Sequence, residues 1–145
     1  MTLVELLVVL GVIGLIVGMS VPGLMGYSKH LRLKTTAQQT LRLIFLARST
    51  AISSHEAQDV LIDQERREIR VVNVVSGESL EQLVRIPSSV EVDVESGGQP
   101  VPESKFTFRT NGALDGRSIT LLLKDDEKEH TITVTGSTGA VMMAE

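Results

Sequence analysis

The chain has 145 residues, 42% of them apolar, a length that supplies at most one ordinary globular core with an appendage. Its net charge of -4 is unevenly distributed, because residues 1–54 carry five Lys and Arg against Glu5 alone, whereas residues 55–145 carry nine against seventeen Asp and Glu. The acidic second part disfavours a nucleic-acid platform, and the absence of cysteine excludes disulfides, thiol nucleophiles and thiolate metal sites.

An apolar run near the start of the chain predicts a helix that crosses a membrane. Residues 6–28 hold no charged side chain, and about 20 helical residues are enough to span the roughly 30 Å hydrocarbon layer of a bilayer. A cleaved signal peptide and a buried core helix are the alternatives. The run is long for a signal peptide, and it lacks both a basic segment before it and a small-residue cleavage site after it. We therefore predict a transmembrane helix over residues 1–28.

Basic residues follow the apolar run and do not precede it. Lys29, His30, Arg32 and Lys34 lie directly after it, so the positive-inside rule would place the rest of the chain in the cytoplasm. The conflict disappears if a short basic leader preceded Met1 and was removed on the cytoplasmic side. We therefore expect a processed, mature chain.

Glu5 lies at the edge of the apolar run, where an unpaired carboxylate is costly. Two interpretations stay open from the residues alone. The side chain either reaches the membrane surface or pairs with a positive group of another copy, for which the free α-amine of Met1 is the nearest recurring candidate. Such a pair would set the axial register between subunits, because buried ion pairs specify geometry more reliably than they stabilise.

Glycines in the same run predict close packing between helices. Gly11, Gly14 and Gly18 include a Gly-x-x-x-Gly pair, which lets helix backbones approach each other in a membrane. Pro22 removes a backbone donor and predicts local unwinding. Because glycine is common in membrane spans, the glycines alone are weak evidence for helix packing, and they indicate it more strongly together with Glu5.

The sequence TLVELL at residues 2–7, followed by an uninterrupted apolar run, resembles the mature N-terminus of type IV pilins and type II secretion pseudopilins. The resemblance implies that a prepilin peptidase removes a basic leader and N-methylates the first residue. That residue is usually Phe, so Met1 is either the mature residue or a start residue standing where leader and Phe were removed. The resemblance also implies that Glu5 neutralises a neighbouring subunit's N-terminal amine, and that the helix between Gly14 and Pro22 can melt within filaments.

The residues after the apolar run predict an amphipathic continuation of the same helix, over residues 29–54. Residues 27–54 contain no Pro or Gly, and their apolar side chains recur at near-helical spacing among Lys, Arg and Gln. We expect this half to pack on the following domain, with Leu41, Phe45 and Ile52 as its main contacts.

Residues 55–145 predict a β-rich globular head of about eight strands separated by turn formers. The strand-like runs are VLI at 60–62, IRVVNVV at 69–75, LVRI at 83–86, VEVDV at 90–94, KFTFRT from 105, SITLLL from 118, HTITVT from 130 and AVMM from 140. They indicate an antiparallel β-sandwich or curled sheet, and with the long N-terminal helix packed on it the fold is α+β. Residues 96–104, with two Gly and two Pro, are expected to form an exposed loop.

The C-terminal part resembles the GspH/FimT-type minor subunits of the same family. Phe108 to Gly112 come near the Phe-x-x-x-x-Gly strand and turn of that group, and two strands and a glycine-containing turn follow. Many members have Arg after the last glycine, where this chain has Ala140 after Gly139. The missing Arg and the acidic head weaken the analogy with members that capture DNA.

The remaining polar residues give no pattern typical of catalysis or metal binding. His30, His55 and His130 are expected on the surface of different elements, without a nucleophilic or zinc motif. The acidic run at residues 125–129 could hold a hard cation, but it lacks the ligand spacing of a calcium loop, so a solvated hairpin tip is favoured. We predict a protein that is not an enzyme and has no cofactor or metal.

The residues and the resemblance together predict a structural subunit, a minor pseudopilin or minor pilin. It would insert once in the bacterial inner membrane with its head in the periplasm, and then join a periplasmic or surface filament. Its partners would be other pilin or pseudopilin subunits, the prepilin peptidase, the inner-membrane assembly platform and possible secreted protein cargo, with nucleic acid disfavoured. The alternatives are a major pilin, a DNA-uptake minor pilin and a membrane-anchored periplasmic binding module.

Overall fold

The computed structural model describes residues 2–101 and 104–144, of which residues 19–30 are described by their backbone alone. A single long helix, α1 (Leu3–Ser54), is followed by nine strands in the described residues. The strands are β1 (Gln58–Asp63), β2 (Glu68–Asn73), β3 (Ser79–Arg85), β4 (Glu91–Ser96), β5 (Gln99–Pro100), β6 (Lys105–Phe108), β7 (Ile119–Lys124), β8 (Glu129–Val134) and β9 (Val141–Ala144).

Local chemistry fixes both ends of α1. Thr2 caps the first turn, because its hydroxyl accepts a hydrogen bond from the backbone N–H of Glu5 while the Glu5 carboxylate accepts one from the backbone N–H of Thr2. At the far end, His55 takes a left-handed conformation with φ 58°, which stops the helix and turns the chain towards β1. The backbone between these caps is helical throughout, including the stretch from Gly14 to Pro22.

The nine strands form two antiparallel sheets, and neither closes into a barrel. The first has the order β3-β2-β1-β6 and the second the order β5-β4-β7-β8-β9. Buried residues alternate with half-exposed or exposed ones along β1, β7 and β8. Since successive side chains of a strand point to opposite faces, each of these strands turns one face inward.

The second half of α1 shares one hydrophobic core with both sheets. Leu33, Ala37, Ile44, Ala47 and Ala51 are fully buried on the helix. They belong to the same cluster as inward residues of both sheets, among them Val60, Val71, Leu121 and Ile132. The predicted α+β architecture, a long N-terminal helix packed on antiparallel sheets, is therefore confirmed.

The predicted contact face of the helix is wrong in two of its three residues. Leu41 packs against the core, but Phe45 is 46% exposed and Ile52 is 42% exposed. The buried face lies one residue earlier, at Ile44 and Ala51, with Ala47 between them at helical spacing. Alanine on this face lets the helix backbone approach the strands, where a larger side chain would overfill the space.

The predicted loop at residues 96–104 contains one strand more than expected, which raises the count from about eight to nine. Gly97 and Gly98 both have positive φ, at 62° and 79°. A two-residue turn with positive φ joins antiparallel strands tightly, and Ser96 accordingly pairs with Gln99. The pair of glycines therefore makes a hairpin of β4 and β5.

The expectation that all three histidines lie on the surface is wrong for His130, which is only 7% exposed. His130 occupies an inward position of β8 opposite Leu123, because the alternation of that strand places it on the core face. His55 is exposed as predicted, whereas the side chain of His30 lies outside the described residues.

The acidic run at residues 125–129 lies at the tip of the hairpin of β7 and β8, as predicted, with Glu129 as the first residue of β8. The Oδ1 atom of Asp125 accepts hydrogen bonds from the backbone N–H groups of Glu127 and Lys128, at 2.9 and 2.8 Å. Among the described residues, no three His, Asp or Glu side chains are grouped as metal ligands would be. The carboxylate thus serves the geometry of the turn.

Candidate functional site

From Leu3 to Val17, α1 presents apolar side chains around most of its circumference. All residues from Thr2 to Gly18 are exposed, and the large apolar ones between Leu3 and Val17 expose between 49% and 77% of their surface. Contiguous apolar surface of this size is unfavourable in water and marks a region that lipid or another protein covers.

Among the residues whose side chains are described, no helical stretch has the length and apolarity needed to cross a membrane.

Glu5 is engaged within its own chain but keeps capacity for a further partner. Its Oε2 atom lies 3.3 Å from the backbone nitrogen of Thr2, and its own backbone nitrogen lies 3.3 Å from Oγ1 of Thr2. Both distances are at the long end for such bonds, and both groups are exposed. A carboxylate accepts about four hydrogen bonds, so Glu5 can accept from another chain as well. Met1, the predicted donor, lies outside the described residues.

The three predicted packing glycines share one open face of the helix. At 100° per residue, Gly11, Gly14 and Gly18 lie within about 60° of one another around the axis. A Cβ added to any of them would meet nothing within 4 Å. Glu5 lies about 120° or more from this face. The glycine face and Glu5 therefore lie on different sides of the helix, where they can contact different neighbours.

Pro22 follows the last of these glycines by one helical turn, and its backbone is helical. Proline has no N–H, so the carbonyl of Gly18 lacks its usual helical donor. Glycine also has a low helix propensity. The weakest hydrogen bonding in α1 is therefore expected between the exposed half and the half that packs on the sheets.

Arg48 joins the packed half of α1 to two turns of the head. Its Nε atom donates to the carbonyl of Gly112 and its Nη2 atom to the carbonyl of Thr138, both at 3.1 Å. The two turns meet there, because a Cβ on Gly139 would overlap the carbonyl oxygen of Gly112. Both glycines have positive φ, at 79° for Gly112 and 63° for Gly139. These contacts fix the head relative to the helix.

The fold has counterparts among solved structures of filament subunits. The type IV minor pilin FimU of Pseudomonas aeruginosa superposes with a TM-score of 0.64 at 15% identity, covering 82% of this chain and 92% of that chain. The minor pseudopilin EpsH of the Vibrio cholerae type 2 secretion system gives 0.62 at 17% identity, over 78% and 96%. A second EpsH structure gives 0.63 at 16% identity.

The chain has the minor pilin and pseudopilin fold. The resemblance predicted from residues 2–7 and from the C-terminal strands is thereby confirmed at the level of the fold. No protein-family model matches the chain, and no curated protein sequence does so.

In this pilin-like chain, four of the predicted site residues, Glu5, Gly11, Gly14 and Gly18, stand on the exposed part of the helix. Glu5 and the glycine face lie on one continuous helix but on different sides of it. Arg48 was missed from the sequence, since a single basic residue in an amphipathic helix is usually solvated. The only available signal was the pair of turn glycines, Gly112 and Gly139, whose partner the sequence does not reveal.

The outer surface of the pilin-like head carries acidic residues around Lys124. The Nζ atom of Lys124 lies 2.7 Å from Oδ2 of Asp93 and 3.8 Å from Oε2 of Glu91. The hydrogen bond to Asp93 and the charge of that carboxylate raise the pKa of Lys124 above its ordinary value of 10.5, with smaller contributions from Glu91 and Glu129. The lysine stays charged and only partly offsets the acidic surface.

Proposed function

We propose that this protein is a structural subunit, a minor pseudopilin or minor pilin, that inserts in the inner membrane and assembles into a filament through the first half of α1. The observation that carries the proposal is the exposed apolar surface from Leu3 to Val17, interrupted only by Glu5 as an ionisable group. The uncharged stretch over residues 6–28 supports the membrane step. FimU is a type IV minor pilin and EpsH a minor pseudopilin, so the fold fits either system.

The proposal divides the chain into three parts. Residues 1–28 would serve first as the membrane anchor and then as the filament core, residues 29–54 would carry the head, and residues 55–145 would form the head in the periplasm. A prepilin peptidase would process the chain at Met1, and an inner-membrane assembly platform would deliver it to the filament. The head would bind other subunits or secreted cargo. In this role the protein needs no catalytic group.

During assembly, Glu5 would exchange a hydrogen-bond partner in its own chain for one in a neighbouring subunit. In the single chain it accepts the N–H of Thr2 at 3.3 Å. In the filament it would accept a hydrogen bond from the α-ammonium of a neighbouring Met1. A charged donor gives a stronger bond than a neutral N–H, and the gain is larger where water is excluded. Insertion in lipid does not need this pair, whereas assembly in a fixed register does.

The opposite side of the helix would receive a second neighbour. Gly11, Gly14 and Gly18 leave open space on one face, and glycine lets helix backbones approach closely. The missing donor at Pro22 would let the helix from Gly14 onward unwind when the subunit leaves the bilayer. Together, Glu5 and the glycine face would allow one helix to contact neighbours on two sides.

Substitution of Glu5 tests the proposal in cells that assemble the filament. Glu5→Ala and Glu5→Gln should both leave the chain in the membrane fraction yet abolish its recovery with sheared filaments, because neither side chain can neutralise an amine. Glu81→Ala, which removes an exposed carboxylate on β3, is the matched control and should be incorporated normally. Normal incorporation of Glu5→Ala would remove the proposed role of Glu5.

A helix replacement separates this function from that of a membrane-anchored binding module. Residues 6–26 are exchanged for an unrelated apolar helix of equal length, with Glu5 kept. If α1 is only an anchor, activity and localisation survive the exchange. If it is the filament core, the chain stays in the membrane but no longer enters filaments, because the glycine face is lost.

A further inference from the structure

A pocket of about 340 Å³ lies where the packed half of α1 begins and β3 ends. Helix residues form one wall, and Arg85 with Pro87 forms the other. The lining includes Leu31, Arg32, Thr35, Gln39, Arg85 and Pro87. Among the described residues that line it, two are arginines and none is Asp or Glu.

Both arginines have their charged groups free to bind a ligand. Arg32 and Arg85 are exposed. Within the described part of the chain, neither guanidinium has an ion-pair or hydrogen-bond partner. Arg85 has Glu68 as its cross-strand neighbour, but no ion pair joins these two side chains in the described residues. Two positively charged side chains from distant parts of the sequence, neither of them in an ion pair within the described residues, therefore meet at one pocket.

The wall that contains Pro87 is held in place by a third arginine. The Nε atom of Arg67 donates to the carbonyl of Ile86 at 3.2 Å, and its Nη2 atom donates to the carbonyls of Pro87 and Val90, both at 2.6 Å. Three hydrogen bonds to one short segment fix the connection between β3 and β4. The pocket therefore exists without a ligand, and less ordering opposes binding.

The pocket lies close to the end of the uncharged stretch. From residue 28 to Arg32 the helix rises by about 6 Å, and to Gln39 by about 16 Å. The polar layer of each leaflet extends about 5–8 Å beyond the hydrocarbon. If residues 1–28 span the bilayer, as the proposed function requires, Arg32 lies in the headgroup layer and the pocket begins at the depth of that layer.

We propose that this pocket binds the phosphate group of an anionic phospholipid. The guanidinium forks of Arg32 and Arg85 match the geometry of phosphate oxygens, and Thr35 and Gln39 supply further donors. Leu31 and Pro87 give the adjoining glycerol an apolar surface. A zwitterionic lipid is disfavoured, because none of the described lining residues carries a carboxylate for its amine. The subunit would thus be held at a fixed depth by a lipid that it must release on joining a filament.

The test uses the full chain in nonionic detergent micelles, titrated with dihexanoylphosphatidylglycerol and followed through the arginine Nε–H resonances. The signals of Arg32 and Arg85 should shift saturably, and dihexanoylphosphatidylcholine should move them far less. Arg32→Gln and Arg85→Gln should each weaken binding about tenfold or more, since each removes a charged hydrogen bond. Arg42→Gln removes a charge on the same helix, ten residues beyond Arg32, and should bind like the unaltered chain.

Lipid binding by the pocket and insertion of the helix in a membrane are tested by separate measurements. Equal shifts with inorganic phosphate at the same concentration overturn the lipid assignment, and so does unchanged affinity in both variants. Backbone amide spectra establish that each variant is folded. Co-elution of the full chain with phosphatidylcholine nanodiscs measures insertion separately. Failure to co-elute contradicts the proposed function, whereas insertion without a preference for phosphatidylglycerol contradicts only the pocket.

Discussion

Gly139 passes so close to Gly112 that a Cβ on Gly139 would overlap the carbonyl oxygen of Gly112. Its φ of 63° is also unfavourable for any residue with a side chain. We predict that Gly139→Ala lowers the free energy of unfolding by about 2–4 kcal/mol, because conformational strain and overpacking add. Urea denaturation followed by circular dichroism measures this loss. Gly98→Ala is the control, since Gly98 has φ 79° but open space around it, and it should lose only about 1 kcal/mol.

Removal of the Arg48 guanidinium should loosen the head from the helix. Arg48→Gln deletes the hydrogen bonds to the carbonyls of Gly112 and Thr138. We expect a loss of about 1–3 kcal/mol in the free energy of unfolding, because a partly buried carbonyl then lacks its charged donor. Arg42→Gln, an exposed arginine of the same helix, should change stability by less than about 0.5 kcal/mol. Equal effects of the two variants would show that Arg48 contributes only its charge.

Neighbouring helix residues should differ sharply in their contribution to the core. Ile44 is fully buried, whereas Phe45 is 46% exposed. Ile44→Ala should cost about 2–5 kcal/mol through the cavity that it leaves. Phe45→Ala should cost less than about 1 kcal/mol, although it removes the larger side chain. Thermal unfolding of both variants under one condition decides the order, and a larger loss at Phe45 would contradict the observed helix face.

Lys124 should titrate above its ordinary range. The hydrogen bond and the charge of Asp93 raise the pKa of Lys124 above 10.5, so the pair stabilises the fold below pH 10.5 and loses this effect as pH rises through the folded pKa. Asp93→Asn should lower the pKa of Lys124 towards 10.5, as measured by NMR titration of the lysine side chain. Glu129→Gln should lower it less, because Glu129 makes the smallest contribution.

The architecture of the chain followed from its sequence because apolar periodicity and turn residues act locally. The uncharged stretch, the alternating runs and the paired glycines predicted a long helix followed by antiparallel strands. The face of the helix did not follow in the same way. Phe45 suggested a contact by its size, but the sheets require small residues at close approach, and Ala47 and Ala51 meet that requirement.

Contacts between distant parts of the chain were the main features that the sequence could not give. Arg48 and Gly112 are 64 residues apart, so no local pattern indicates their hydrogen bond. The burial of His130 depends on the phase of β8, which the register with β7 sets. The predicted residues of the exposed helix were easier to find, because Glu5 and the glycines depart from the apolar composition around them.

The N-terminal end of α1 lies far from the part of the helix that packs on the head. Among the residues of α1 whose side chains are described, Leu33 is the buried one nearest the N-terminus, and Leu3 lies about 45 Å farther along the axis of the continuous helix. A tilt of the head by about 5° would then move the N-terminal end of a rigid helix by about 4 Å. As long as the helix stays continuous, a small rotation of the head is therefore amplified into a displacement of several ångströms at the opposite end of the molecule.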